Sequence, residues 1–91
     1  MIEVKFASEV EEYLIKIKRK DGRLFSRIDK QLELFVKNPK HPSLRTHKLS
    51  GKMKNMWSIS ITMSIRMVYI KMGENSFVFV KIGAHKEVYS L

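Results

Sequence analysis

The side chains of this chain that could do chemistry gather in its C-terminal half. His47, Lys48, Lys52 and Lys54 precede one alternating apolar stretch, Arg66 opens the next, and Lys81, His85, Lys86 and Tyr89 close the last. Imidazoles titrate near neutrality and can take or give a proton. Lysine and arginine stabilise developing negative charge, and a tyrosine hydroxyl can serve as a base once a neighbouring cation lowers its pKa. Such a set, almost without carboxylates, suits a phosphodiester. Phosphoryl transfer needs a base for the attacking oxygen, an acid for the leaving oxygen and positive charge around the crowded phosphorus. In RNA the 2′-hydroxyl is itself the nucleophile, so no metal or cofactor is required.

Each of these residues also has a plain structural use. His47 can bond backbone in a loop, and Tyr89 can cap the core. Arg66 shares strand parity with Val68 and Ile70, so its stem can lie along the core edge. Lys48, Lys52 and Lys54 can form a solvated basic loop. Trp57 could stack on a base, but its alternation with Ile59 and Ile61 points to core packing.

The elements that must position these groups follow from periodicity. Ile2, Val4 and Phe6 alternate with Glu3 and Lys5, which predicts a short strand. Ser8 and Glu11 have capping-box spacing, and Val10, Tyr13, Leu14 and Ile17 form the apolar stripe of a helix ending at Asp21-Gly22. Phe25, Ile28, Leu32 and Phe35 predict a second helix that stops near Asn38, because Pro39 disfavours helical geometry in the residue before it. Pro39 to Asn55 reads as an irregular basic segment. Three strands follow: Trp57 to Met63, Arg66 to Met72, and Phe77 to Ile82, with turns near Met63-Ser64 and at Gly73-Glu74-Asn75. The expected class is α+β: an N-terminal strand, then an antiparallel helical hairpin packed on an antiparallel sheet (β-α-α-β-β-β), with a short C-terminal turn.

A chain of 91 residues predicts a single domain over 1–91, too small for a nucleotide-binding α/β domain with a separate substrate domain. The net charge of +9 is unevenly spread. Residues 1–33 carry eight basic and seven acidic side chains, whereas residues 34–91 carry ten basic ones against only Glu74 and Glu87. Such a basic half predicts a polyanionic partner. The absence of cysteine excludes disulfides and thiolate metal sites, and three scattered histidines make a zinc site an unfavoured reading. Met1 to Lys5 has no basic-then-apolar leader, and no apolar run approaches the roughly 18 residues that span a bilayer. These features predict a cytoplasmic protein without a membrane role.

Four segments carry a resemblance: His47-Lys48-Leu49-Ser50-Gly51, Trp57-Ser58-Ile59, Arg66-Met67-Val68-Tyr69 and Ile82-Gly83-Ala84-His85-Lys86-Glu87-Val88-Tyr89. Together they resemble the RelE/ParE toxin superfamily, above all the RelE and YafQ branch of type II toxin–antitoxin toxins, and the likeness runs through essentially the whole chain. It implies the RelE-like microbial RNase fold and a ribosome-dependent endoribonuclease that cuts messenger RNA in the decoding site. The resemblance places His85 and Tyr89 at the catalytic His and C-terminal aromatic of YafQ-like members, and His47 at their earlier His. Arg66 matches the strand Arg with which RelE-like members bind the reacting phosphate, where YafQ has Trp. Lys52 and Lys54 resemble lysines of the RelE loop, while Ile65 stands where YafQ has a functional Asp, so the chain mixes the two patterns. Lys48, Lys81 and Lys86 are expected to add RNA contacts.

The implied partners are messenger RNA, the ribosome and its RNA, and a cognate antitoxin through whose complex DNA could be bound indirectly. Two rival readings share the fold. One is a ParE-like toxin that inhibits DNA gyrase without cutting RNA; the other is a catalytically inactive homologue that only binds an antitoxin. The set His47, His85 and Tyr89 argues against the first, because a clamp on a partner has no need of acid–base groups.

Overall fold

The computed structural model describes residues 2–51 and 55–89. Lys52 and Lys54, two of the expected RNA-binding lysines, lie outside the described residues.

Strand β1 (Glu3–Phe6) turns Val4 and Phe6 toward the core and leaves Glu3 and Lys5 exposed, as its alternation requires. Helix α1 (Ser8–Lys20) begins one residue earlier than a Ser8 cap would have it and lacks the expected capping box: Ala7 holds the cap position, with no side-chain bond, and Ser8 is already helical. The reason is the strand that feeds it. The Ala7 amide still continues the sheet ladder by donating to Phe79 O at 2.9 Å, while its carbonyl accepts from Val10 and Glu11. The end of β1 therefore sets the helix start. Asp21 serves both helices: its amide donates to Ile17 O, ending α1, and its carboxylate accepts the Leu24 amide at 3.1 Å, capping α2 (Gly22–Lys37). Helix α2 stops before Asn38-Pro39, as the proline demands.

The remaining strands are β2 (His47–Lys48), β3 (Met56–Ser60), β4 (Ile65–Gly73) and β5 (Ser76–Ala84), in the sheet order β1-β5-β4-β3-β2. Neighbours among β2 to β5 are antiparallel, but β1 runs parallel to β5. The sheet is thus mixed rather than antiparallel throughout. Tight turns impose antiparallel pairing on strands adjacent in sequence, whereas β1 pairs with the strand farthest from it. The short β2 was not expected inside the basic segment.

Strand β3 also ends earlier than its alternation suggested. Met63 sits in the turn and is fully exposed. Thr62 builds that turn without glycine, because its Oγ1 accepts the amides of Ser64 and Ile65 at 3.2 and 3.0 Å.

The helices cover one face of the sheet. Phe35 of α2 stands at the centre, edge-on to Tyr69, Phe77 and Phe79 with ring centroids 5.1, 5.0 and 5.2 Å away. Val10, Ile28, Ile59 and Met67 complete this core. In β5 the inward series is Phe77, Phe79 and then Ile82: Tyr69 pairs with Phe79 but Val68 pairs with Lys81, so Val80 is the extra residue of a β-bulge. Without the bulge Lys81 would point into the core. With it, Lys81 joins the face that the helical hairpin leaves uncovered. Among the described residues only helix α3 (His85–Val88) lies there, against β4 and β5, with Val88 and Val68 both buried.

Candidate active site

The uncovered face collects the polar groups in rows set by strand register. His47, Ser58, Val68 and Lys81 lie side by side across β2, β3, β4 and β5, and Ser60, Arg66 and Gly83 form the next row. The chain then turns into α3, which carries His85 and, at its end, Tyr89 back over β3.

Ser58 links these groups. It has no exposed surface, and its hydroxyl lies 2.5 Å from the Tyr89 hydroxyl, one donating to the other. The same Ser58 oxygen accepts from Arg66 Nε at 3.1 Å, and the Ser58 carbonyl accepts from Arg66 Nη2 at 3.3 Å. A third bond, from Arg66 Nη2 to Arg45 O at 2.8 Å, ties the guanidinium to the segment before β2. Arg45 adopts φ 46°, in the left-handed region. Three bonds fix the Arg66 plane and leave the two N–H groups of Nη1 without a partner among the described residues, a ready fork for an anionic oxygen.

His85 packs edge-on against Tyr89, with ring centroids 4.3 Å apart. Both rings, with His47, Leu49 and Ser50, line an open cleft of about 390 Å³. Among the described residues no carboxylate lines it. The nearest in sequence, Glu87, is engaged by the Ala84 amide at 3.1 Å. The cleft thus offers two imidazoles, a phenol and, through Ser58, an oriented guanidinium. That combination can exchange protons on both sides of a phosphodiester and compensate its charge.

The expected residues divide accordingly. His47, His85 and Tyr89 share the cleft, Arg66 joins them through Ser58, and half-buried Lys81 lies on the same face. Lys86 is exposed on α3. Lys48 also lines the cleft, but it pairs with Trp57, and its ammonium stands 5.8 Å from the indole centroid. Its charge therefore serves the opposite face. Trp57 stacks on Tyr69 at 5.9 Å, in line with the packing role expected of it. Ser58 escaped the sequence reading, since a lone serine in an alternating strand carries no signal until register sets it beside Arg66 and Tyr89.

No family model matches the chain, and no curated protein matches it. Solved structures do. A YoeB/ParE toxin from Agrobacterium tumefaciens superposes with a TM-score of 0.80 at 20% identity, over 92% of this chain and 99% of that one. YafQ from Escherichia coli gives 0.77 at 12% identity, over 99% of this chain and 100% of the other. A chain of the YoeB-YefM complex from Staphylococcus aureus gives 0.77 at 16% identity, over 93% and 98%. Likenesses at such low identity concern the backbone. The chain has the α+β fold of the RelE/YafQ-like toxins.

Proposed function

We propose that the protein is the toxin of a type II toxin–antitoxin pair, and that it cuts messenger RNA in the ribosomal decoding site without a metal. The observation that carries this reading is the Arg66–Ser58–Tyr89 chain of hydrogen bonds beside His85, in a cleft that no carboxylate of the described residues lines. In the proposed reaction the 2′-oxygen attacks phosphorus and the bond to the 5′-oxygen breaks. His85 and Tyr89 divide the two proton transfers, one accepting the 2′-hydroxyl proton and the other supplying one to the departing oxygen. Arg66 Nη1 binds the phosphoryl oxygens. The product is a 2′,3′-cyclic phosphate or the 3′-phosphate it hydrolyses to. The antitoxin reading draws support from the fold's occurrence in the YoeB-YefM and DinJ-YafQ complexes.

The deciding experiment incubates purified protein with a messenger RNA, free and on programmed ribosomes, and maps the 5′ ends by primer extension. Cuts at decoding-site positions are expected, and His85→Ala or Arg66→Ala should slow them by about a hundredfold or more while leaving the far-UV spectrum unchanged. Wild-type rates from both folded variants would sink the site assignment. Intact RNA in every lane, from a protein that still arrests growth, would favour a gyrase poison instead.

A further inference from the structure

A cavity larger than the cleft lies elsewhere in the molecule. It is a depression of about 820 Å³ toward the other face of the sheet, bounded by the segment after α2 and the far ends of β3, β4 and β5. Its size suits a nucleotide-sized ligand. Lys40, Arg45 and Lys71 bring three cations to it, against Glu74 as the one carboxylate. Trp57 forms part of its wall and remains half-exposed, with Lys48 beside the indole.

Tyr69 supplies the second observation. It lines the cavity with most of its ring buried, while its hydroxyl, which no described residue bonds, stays within reach of solvent. Burial pushes its pKa above the ordinary value of 10.0, so the group stays a donor at neutral pH. A phenol that solvent reaches and no protein group bonds is free to bond a ligand instead. His41 adds another donor: its Nδ1 accepts the Ser43 amide at 3.1 Å, which assigns the ring proton to Nε2.

We propose that this cavity binds one unpaired nucleotide of RNA, its base against the Trp57 indole and its phosphate among Lys40, Arg45 and Lys71. Aromatic walls hold bases by stacking without regard to sequence, and lysines hold phosphates. Arg45 connects the two sites, because its carbonyl anchors Arg66 on the catalytic face while its residue lines this cavity. A strand leaving the cleft can therefore pass around the short edge strand β2, along Lys48, and enter. The inference takes its ligand class from the RNA reading above, but the cavity stands independently of any cleavage.

Trp57 is the only tryptophan of the chain, so its emission reports on the cavity directly. The experiment titrates purified protein with a short single-stranded 2′-O-methyl oligoribonucleotide, which cannot be cut, and follows that emission. Saturable quenching is expected, with half-saturation weakened about tenfold by Lys71→Glu or Lys40→Glu and by raising salt from about 50 to 200 mM. Lys16→Glu, the same charge change on exposed α1, should leave the titration curve in place. An unchanged emission, equal weakening by all three variants, or equal quenching by polyglutamate would overturn the proposal, the last in favour of an acidic protein segment. Uncut message with retained quenching would refute the nuclease reading alone.

Discussion

Removing the Ser58 hydroxyl strips a partner from both Arg66 Nε and the Tyr89 hydroxyl in a place with no exposed surface. Ser58→Ala is therefore expected to cost about 1–3 kcal/mol in urea unfolding, the penalty of leaving buried donors unmet. If the chain of bonds also orients the proposed catalytic groups, the same variant should lower the cleavage rate at saturating ribosomes more than it changes half-saturation. A rate loss matched by Tyr89→Phe, and no greater in the double variant, would show that Ser58 acts through the phenol. Independent, additive losses would place it elsewhere. Histidine, arginine and tyrosine could be nominated from their chemistry. Ser58 could not, because its role is created by neighbours 8 and 31 residues away.

The elements differ in how far local sequence governs them. Both helices follow from their apolar stripes, and Asp21 joins them because one aspartate can end the first and cap the second. Asp21→Ala should cost about 1 kcal/mol, within the range of N-cap losses, read as a lower urea midpoint with an unchanged slope. An unchanged midpoint would mean that Asp21 accepts the Leu24 amide without stabilising the hairpin. Ser8 and Glu11 had capping-box spacing, yet the ladder bond from Ala7 to Phe79 decided where α1 begins. The bulge at Val80 is likewise absent from any local pattern. Alternation through Phe77, Phe79 and Lys81 would bury the lysine, and it is the need to pair Ile82 with Met67 over the core that reverses the phase.

For the molecule as a whole, the aromatic cluster around Phe35 couples the helices to the sheet, and Tyr69 is its one titratable member. Its raised pKa sets a sign for alkaline stability. Below the ordinary value of 10.0 the phenol is neutral in both states; as the pH rises past it, the unfolded chain sheds a proton that the folded chain still holds. The folded state should thus lose stability above about pH 10 until the folded pKa is passed, and Tyr69→Phe should lessen that loss. Urea midpoints measured across the range will test it. Identical slopes for the two proteins would assign the decline to other groups, among them Tyr13, which burial first and then Glu87 and Asp21 also push upward.

What the amino-acid order determined by itself was whatever depends on near neighbours: two amphipathic helices, the alternating strands, the turn at Gly73-Glu74-Asn75, and a basic C-terminal half rich in acid–base side chains. The tertiary structure alone decided the rest. It made β1 parallel to β5, set His47 beside Ser58 and turned Lys48 toward the opposite face. It also bulged β5 at Val80 and opened a cavity on the side of the sheet away from the cleft. The physical reason is common to all of these. Strand register and direction are fixed by bonds between residues distant in sequence, and a shift of one residue exchanges the two faces of a strand. Side-chain identity can nominate reactive groups, but which of them share a face is settled only when the whole sheet is paired.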